Sequence, residues 1–231
     1  MIKHHPQEAL LLAHAKGELP LSMAIAVSAH CTLCAKCTAI VAALTEQEAQ
    51  ATLSAGSPED RVTASETDMT LVPDPLPREL QAMLAHIFSQ PEANVIPSHA
   101  PISLSVRTTT YSIPAVFRQH LTRPWQQLGK VCRMRFDVDE LNTRASLLHI
   151  DALGEIPQHT HKGYELTLLL AGEFTDINGE YVPGDFILLD NQTHHAPKTK
   201  TGCLCYTVLD APLHFTKGLS KLLNPIGELI Y

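Results

Sequence analysis

The pattern of hydrophobic and polar positions changes from helical to strand-like about halfway along the chain. In residues 20–51, Ala, Leu, Met and Glu dominate and helix-breaking residues are almost absent, which predicts one long helix or two abutting helices. A shorter helix should precede them, because Pro6 stands at a first-turn position and Gly17 marks a C-terminal end. The first part of the chain is therefore predicted to be helical.

A further helix is predicted to begin at Pro77 and to be amphipathic. Its apolar residues fall at i, i+3, i+4 and i+7, which are positions on one helix face: Leu80, Met83, Leu84 and Ile87. Such an apolar stripe must be covered by another surface, and a partner protein is one candidate for that surface.

After about Ser112 the chain consists of short alternating runs separated by Gly, Asn, Asp and Pro. This spacing predicts strands without intervening helices, and hence a sandwich or barrel. The runs that we expect to be strands are residues 131–138, 145–150, 166–170, 186–189 and 204–209.

Two stretches rich in Pro, Ser and other polar residues interrupt these patterns. Residues 52–76 are predicted to be a mobile loop, and the stretch from 89 to 101 is the expected domain boundary. The resulting prediction is an α+β protein, with an N-terminal all-α domain over residues 1–90, a linker over 91–111 and a β domain over 112–231.

Charge and composition limit the classes of function that we expect for the chain. The chain has 231 residues and a formal net charge of −7, which gives no electrostatic reason to expect direct nucleic-acid binding. Neither a membrane-spanning run of about 18 apolar residues nor a secretory signal is present. We therefore expect a cytoplasmic protein, in which the six cysteines would be reduced and available for metal or redox chemistry.

One group of potential metal ligands lies in the predicted helical domain. His30, Cys34 and Cys37 have the spacing His-x3-Cys-x2-Cys, and positions i, i+4 and i+7 lie on one face of a helix. Two thiolates and an imidazole suit Zn²⁺, which prefers four tetrahedral ligands. His4 or His5, just before the first helix, could supply the fourth ligand.

Two other interpretations of this cysteine cluster stay open. The cysteines could be small buried apolar residues beside a histidine. Alternatively Cys31, Cys34 and Cys37, at Cys-x2-Cys-x2-Cys spacing, could hold an iron–sulfur cluster, although the Cys-Pro that follows in bacterial ferredoxins is absent. On a helix Cys31 would face away from His30.

A second group of potential ligands lies in the predicted β domain. His159 and His161 share one face of a strand, because side chains alternate with period two, and Glu165 follows as the next strand begins. His194 or His195, after the run at 186–189, would complete a set of three imidazoles and a carboxylate. The alternative is that His159 and His161 are exposed loop residues.

Both groups resemble known motifs. His-x3-Cys-x2-Cys with an upstream histidine, after an opening that reads His-His-Pro-Gln-Glu-Ala-Leu-Leu, resembles the ChrR branch of the zinc-binding anti-sigma domains, and this resemblance implies His5 as the fourth ligand. The second group resembles the cupin motif between Gly154 and Gly172, with one residue fewer before the first histidine. Counting from Gly184 in the second cupin motif favours His195 as the last ligand.

The order of the two motifs is that of ChrR-like anti-sigma factors. The resemblance implies a zinc-binding helical domain followed by a cupin β-barrel, with Zn²⁺ in the first and a second divalent metal, zinc or else Mn²⁺, Fe²⁺ or Ni²⁺, in the second. It implies a non-enzyme that sequesters an extracytoplasmic-function sigma factor through residues 1–90. Release would follow oxidative stress, from singlet oxygen or peroxide.

A cupin metalloenzyme, such as a dioxygenase or isomerase with an N-terminal zinc module, is the alternative function. No nucleophile–base pair or phosphate loop accompanies the metal motif. Cys203 and Cys205 share one strand face and are expected in the core or on the wall of the cupin cavity, where they would be oxidisable.

Overall fold

The structure is a computed structural model that describes residues 1–54, 77–90, 99–138, 140 and 142–215. The central parts of the two predicted low-order stretches, and the end of the predicted cupin domain, lie outside the described residues. By its internal contacts the chain forms two compact units, one made of Met1–Glu48 with His99–Tyr231 and the other of Ala49–Ser98. The predicted division into domains at residues 90 and 112 stays a prediction.

Four α-helices form in the described N-terminal part, as the sequence predicts. They are α1 (Glu8–Ala15), α2 (Leu21–Leu33), α3 (Ala35–Ser54) and α4 (Arg78–Ser89). Gly17 follows α1 with a φ of 71°, a conformation that glycine adopts without strain and that ends the helix. Of the two predicted possibilities for residues 20–51, two abutting helices is correct, because Cys34 is extended (φ −125°, ψ 98°) between α2 and α3.

The C-terminal part is built from strands, as predicted. They are β1 (Ile102–Val106), β2 (Thr109–Ile113), β3 (Gln126–Leu128), β4 (Val131–Arg135), β5 (Arg144–Ile150), β6 (His159–His161), β7 (Glu165–Gly172), β8 (Phe174–Asp176), β9 (Gly179–Tyr181), β10 (Phe186–Leu189), β11 (Cys203–Leu209) and β12 (Leu213–Phe215). A six-stranded antiparallel sheet has the order β10-β7-β11-β5-β4-β3, and the pairs β1-β2, β6-β12 and β8-β9 complete the described strands. The α+β class and the cupin-like β domain are thereby confirmed.

The hairpin of β1 and β2 is not anticipated by the sequence reasoning, which gave residues 91–111 to a linker. Leu104 and Val106 on β1 are buried, and Ile113 on β2 is buried as well. This alternation of buried and exposed positions is the period-two signal of a strand. The nearby prolines obscure that signal, because the hairpin begins directly after Pro101.

Helix α2 packs against the six-stranded sheet and shares its core. The buried residues of this common cluster from α2 are Met23, Ile25, Ala26, Val27 and Ala29. They pack in one cluster with residues of β7 and β11 that include Leu166, Leu168, Leu204 and Tyr206. A larger apolar side chain that is fully buried in such a core contributes roughly 1.5–3 kcal/mol.

Two polar contacts fix the start of α2 on the β domain. The buried Tyr206 hydroxyl donates a hydrogen bond to the Ser22 carbonyl at 3.0 Å. The Glu140 carboxylate accepts hydrogen bonds from the Ser22 backbone N–H at 2.8 Å and from its hydroxyl at 2.7 Å. A carboxylate at a helix N-terminus is favourable for the free amides and the helix dipole, so Glu140 caps α2 from a distant loop.

No helix in the described residues is long and apolar enough to span a bilayer.

Candidate metal centres

The structure brings His5, His30, Cys34 and Cys37 together. Each offers one potential ligand atom, and these atoms all lie within 4.8 Å of one another. The Nδ1 atom of His5 is 3.5 Å from the Cys34 sulfur and 3.4 Å from the Cys37 sulfur. His5 is half-buried and the other three side chains are buried. We call this group the His/Cys centre.

The break between α2 and α3 creates the His/Cys centre. His30 lies near the end of α2, Cys34 is the extended residue between the helices, and Cys37 lies in the first turn of α3. The prediction that these three residues share one face of a helix is therefore wrong in its geometry, although the structure does bring the three residues together. The chain changes direction at Cys34 and turns both cysteines toward His5.

His30 has the environment of a metal ligand. Its Nδ1 atom is 2.7 Å from the Gly184 carbonyl oxygen, and because a carbonyl can only accept, Nδ1 carries the hydrogen. The Nε2 atom is buried and has no hydrogen-bond partner among the described residues, which is costly unless a cation occupies the position in front of it. Burial lowers the pKa of His30, so the imidazole is neutral, as a ligand must be.

The thiol groups also fit a cation. Burial, together with the neighbouring Cys34, raises the pKa of Cys37 to about 12. Without a cation the thiol therefore stays protonated at neutral pH, and a bound divalent cation would deprotonate it. The residues present fit a divalent metal that favours nitrogen and sulfur ligands.

Two neighbouring residues named in the sequence reasoning lie outside the His/Cys centre. Cys31 is half-buried against the main core, and burial raises its pKa to about 11. The ring of His4 packs on Tyr181 at 5.2 Å between centroids. The cluster that forms therefore includes His5 and His30 in place of Cys31, and this composition does not match the iron–sulfur alternative.

The second centre contains His159, His161, Glu165 and His195, all of them buried, with potential ligand atoms within 4.8 Å of one another. One Glu165 oxygen is 2.6 Å from Nε2 of His161 and 3.1 Å from Nε2 of His195. His194 is exposed and takes no part. We call this group the His/Glu centre.

Strand β6 and the backbone after β10 hold this centre in place. His159 and His161 are the two ends of β6, and Glu165 is the first residue of β7. His195 follows β10 and exchanges two backbone hydrogen bonds with His159, of 3.0 and 3.1 Å. The third imidazole is thereby placed opposite the first.

Oxygen partners at the outer ring nitrogens, Nδ1, orient the rings of two of these histidines, His159 and His195. The Nδ1 atom of His159 lies 2.8 Å from the Pro157 carbonyl oxygen. The Nδ1 atom of His195 lies 3.4 Å from the carboxylate of Asp176, whose side chain is almost completely buried. Carboxylate and carbonyl partners of this kind orient metal-binding histidines. Asp176 was missed by the sequence reasoning, since nothing in its local sequence distinguishes it from an ordinary turn residue.

The electrostatics of the His/Glu centre are those of a cation site. Burial alone would raise the pKa of Glu165, but hydrogen bonds from His161 and His195 hold it well below its usual range. Burial would lower the pKa of His195, but Asp176 and Glu165 outweigh it and raise that pKa to about 9. Burial lowers the pKa of His159 to about 4. A proton on His195 thus supplies the positive charge that Glu165 requires.

A small cavity of about 30 Å³ adjoins the His/Glu centre. Glu165, Asp176, His195 and Cys205 contribute to its wall. The thiol contact with Cys203 and burial raise the pKa of Cys205 well above its ordinary value, so that it is a thiol and not a thiolate. Cys205 therefore lies on the cavity wall, which is one of its two expected positions.

Known proteins of one family match nearly the whole chain. A family model described as the ChrR cupin-like domain matches residues 116–212. The chain is 30% identical over 230 residues to anti-sigma-E factor ChrR of Cereibacter sphaeroides, and the match covers 99% of each. Among solved structures, a chain of the Rhodobacter sphaeroides SigE complex with the anti-sigma ChrR has a TM-score of 0.61 and 25% identity. That match covers 91% of this chain and 100% of the other.

We predict that metal binding at the His/Glu centre depends on pH through His195. Because the pKa of His195 is raised to about 9 in the metal-free chain, binding below that pH must release its proton. Affinity should therefore fall about tenfold per pH unit between pH 9 and 7. Titration with Mn²⁺, which favours nitrogen and oxygen ligands over thiolates, would measure this. Asp176→Asn should flatten the dependence, and an affinity independent of pH in the unmodified chain would contradict the prediction.

Proposed function

The chain belongs to the ChrR family of anti-sigma factors, and on this basis we propose that it sequesters an extracytoplasmic-function sigma factor and releases it under oxidative stress. The observation that carries the proposal is the match to anti-sigma-E factor ChrR along 99% of both chains. The solved complex of ChrR with SigE supports the class of partner. The protein would regulate transcription by binding the sigma factor, without contacting nucleic acid itself.

Helix α4 supplies a surface suited to such a partner. Its apolar stripe is exposed in the structure, with Leu80 43%, Met83 59%, Leu84 39% and Ile87 56% accessible. Phe88 is also exposed, at 82%. An amphipathic helix that presents an apolar face commonly binds in a groove of another protein. We propose that residues 1–90 bind the sigma factor, that residues 91–111 link them to the cupin domain over 112–231, and that α4 contributes this stripe.

We propose Zn²⁺ for the His/Cys centre and a second divalent metal for the His/Glu centre. Two histidines and two cysteines form the tetrahedral set that structural zinc favours. His5 precedes α1 while the other three ligands belong to α2, α3 and their junction, so that a bound ion would stabilise the packing of these segments. For the second centre zinc is preferred, while Mn²⁺, Fe²⁺ and Ni²⁺ are also compatible with three imidazoles and a carboxylate.

The proposed oxidative response depends on the surroundings of the His/Glu centre. The imidazole of His195 and the thiol of Cys205 both line the small cavity, and oxidation would convert them into bulkier or more polar groups. All six cysteines are free of disulfides, in keeping with the reducing cytoplasm where we propose that the protein acts.

The size of the cavity argues against the alternative of a cupin enzyme. At about 30 Å³ it has room for about one water molecule, whereas small-molecule sites usually enclose some 300–1,000 Å³. The family of the chain is one of anti-sigma factors, and we accordingly propose that the His/Glu centre serves regulation and not turnover.

The role of α4 can be tested by introducing charges on its exposed face. Met83→Asp with Ile87→Asp should weaken sigma-factor binding at least tenfold, because each apolar side chain buried at an interface contributes roughly 1.5–3 kcal/mol. Binding and inhibition would be measured with purified sigma factor and RNA polymerase, after co-expression has identified the partner. The matched control is Leu128→Asp with Ile177→Asp, which changes two exposed apolar residues of the β domain. Equal inhibition by the α4 variant and this control would reject the proposed surface.

The sensing role can be tested by removing two imidazoles of the His/Glu centre. The variant with His159→Ala and His161→Ala should still inhibit its sigma factor in the dark, because the His/Cys centre and α4 are unchanged. Under singlet oxygen, most of the increase in sigma-dependent transcription should be lost. His194→Ala, an exposed neighbour of the centre, is the control and should respond normally. Normal release by the double variant would show that this centre does not sense the oxidant.

A further inference from the structure

The segment that carries His5 is held by the turn of the β domain that precedes β10. Asp185 accepts hydrogen bonds through one carboxylate oxygen from the backbone N–H groups of Lys3, at 2.6 Å, and His4, at 2.9 Å. The backbone N–H of Phe186 donates to the His4 carbonyl at 3.0 Å. The residues immediately before the first ligand are therefore bound to a site about 180 positions away in the sequence.

Asp185 is suited to fix this contact. Its side chain is fully buried, and its second oxygen accepts a hydrogen bond from the Val182 N–H at 2.9 Å. One carboxylate thus fixes its own turn and the N-terminal segment at the same time. Hydrogen bonds to a charged acceptor are about twice as strong as neutral ones, and three donors compensate the burial of this charge.

The same turn also contacts a second ligand of the His/Cys centre. The Gly184 carbonyl oxygen accepts the Nδ1–H of His30 at 2.7 Å, which directs Nε2 toward the other ligands. Gly184 has a φ of 95°, and a Cβ atom at this position would collide with the side chain of Ile2. Glycine is favoured here by the backbone conformation, and any other residue would also force the Ile2 side chain to move.

We propose that the turn of residues 183–186, which we call the clamp turn, is part of the His/Cys centre, and that Asp185 is a positioning residue for its metal. The clamp turn holds two of the four ligands, His30 through the Gly184 carbonyl and His5 through the backbone of the preceding residues. Groups that orient metal ligands in this way typically change metal affinity about 10–100-fold. The inference rests on the proposed function in one respect, namely that the His/Cys centre binds a metal.

The position of the clamp turn also relates the two centres to each other. Strand β10 begins at Phe186, and its last residue, Leu189, pairs with Glu165 of the His/Glu centre. A strand of four residues therefore separates the contacts with His4 and His30 from Glu165, a proposed ligand of the second centre. A disturbance of Glu165 has a short path through described backbone to the His/Cys centre.

The test uses the full chain loaded with Co²⁺ as the probe. Absorption from thiolate-to-cobalt charge transfer reports the His/Cys centre alone, since the His/Glu centre has no thiolate ligand. After addition of a chelator, the Asp185→Asn variant should lose this band at least about ten times faster than the unmodified chain does. The band should also shift, because the ligands are oriented differently, which a loss of stability alone would not cause.

Two further variants make the result decisive. The control variant, Asp190→Asn, makes the same change directly after β10. Among the contacts described, the Asp190 carboxylate accepts hydrogen bonds only from Gln192 and Thr193. This variant should therefore release Co²⁺ at the rate of the unmodified chain. Lys3→Pro removes one donor to Asp185 from the opposite side and should also accelerate release, even if Asp185→Asn does not fold.

The outcomes separate the inference from the proposed function. If the unmodified chain shows no thiolate-to-cobalt band, the His/Cys centre does not bind metal as proposed. Suppose instead that the band is present, and that Lys3→Pro and any folded Asp185→Asn protein release Co²⁺ at the rate of the unmodified chain, without a spectral shift. The His/Cys centre then binds metal as proposed, but the role of the clamp turn is refuted.

Discussion

The packing of α2 against the six-stranded sheet is the interaction on which the rest of the structure depends. Its buried residues belong to the same core as β7 and β11, and Tyr206 and Glu140 fix its first turn. With the helix held at its start, His30 near its end lies against the Gly184 carbonyl. The His/Cys centre consequently forms on the surface of the β domain and not on an isolated helical unit.

Both centres consist of buried polar groups whose mutual arrangement favours a cation. In the His/Cys centre, His30 presents a buried nitrogen that has no partner in the part of the chain that the structure describes, and the pKa of Cys37 is raised by burial. In the His/Glu centre, Glu165 is kept ionised by histidines, and His195 carries a proton in compensation. A metal ion would replace these protons and relieve the cost of burial, so that metal binding and folding are linked.

Much of this arrangement could be predicted from local sequence, and the remainder could not for identifiable reasons. The spacing of His30, Cys34 and Cys37 points to three residues that the structure brings together, and the alternation at His159 and His161 correctly predicts a strand. Two abutting helices were one of the two predicted possibilities, but the position of the break at Cys34 was not predicted, because no proline or glycine marks it.

The residues that form hydrogen bonds with the proposed metal ligands, or with the segment that carries one of them, could not be predicted from the sequence either. Asp176 ends the short strand β8 and Asp185 lies in the turn before β10, and each acquires its role from a histidine or an N-terminal segment that is distant along the chain. The β1–β2 hairpin was concealed by the prolines that precede it. For the two aspartates the deciding contact joins segments that are separated along the chain, and periodicity carries no information about such contacts.

The central claim is that one metal at the His/Cys centre organises the helices that inhibit the sigma factor. The most direct measurement is the zinc content of the full chain, together with its inhibition of sigma-dependent transcription, for Cys34→Ala with Cys37→Ala and for Cys31→Ala. The double variant should lose about one equivalent of zinc and most of its inhibition, while Cys31→Ala should retain both. A double variant that keeps its zinc and still inhibits would contradict the account.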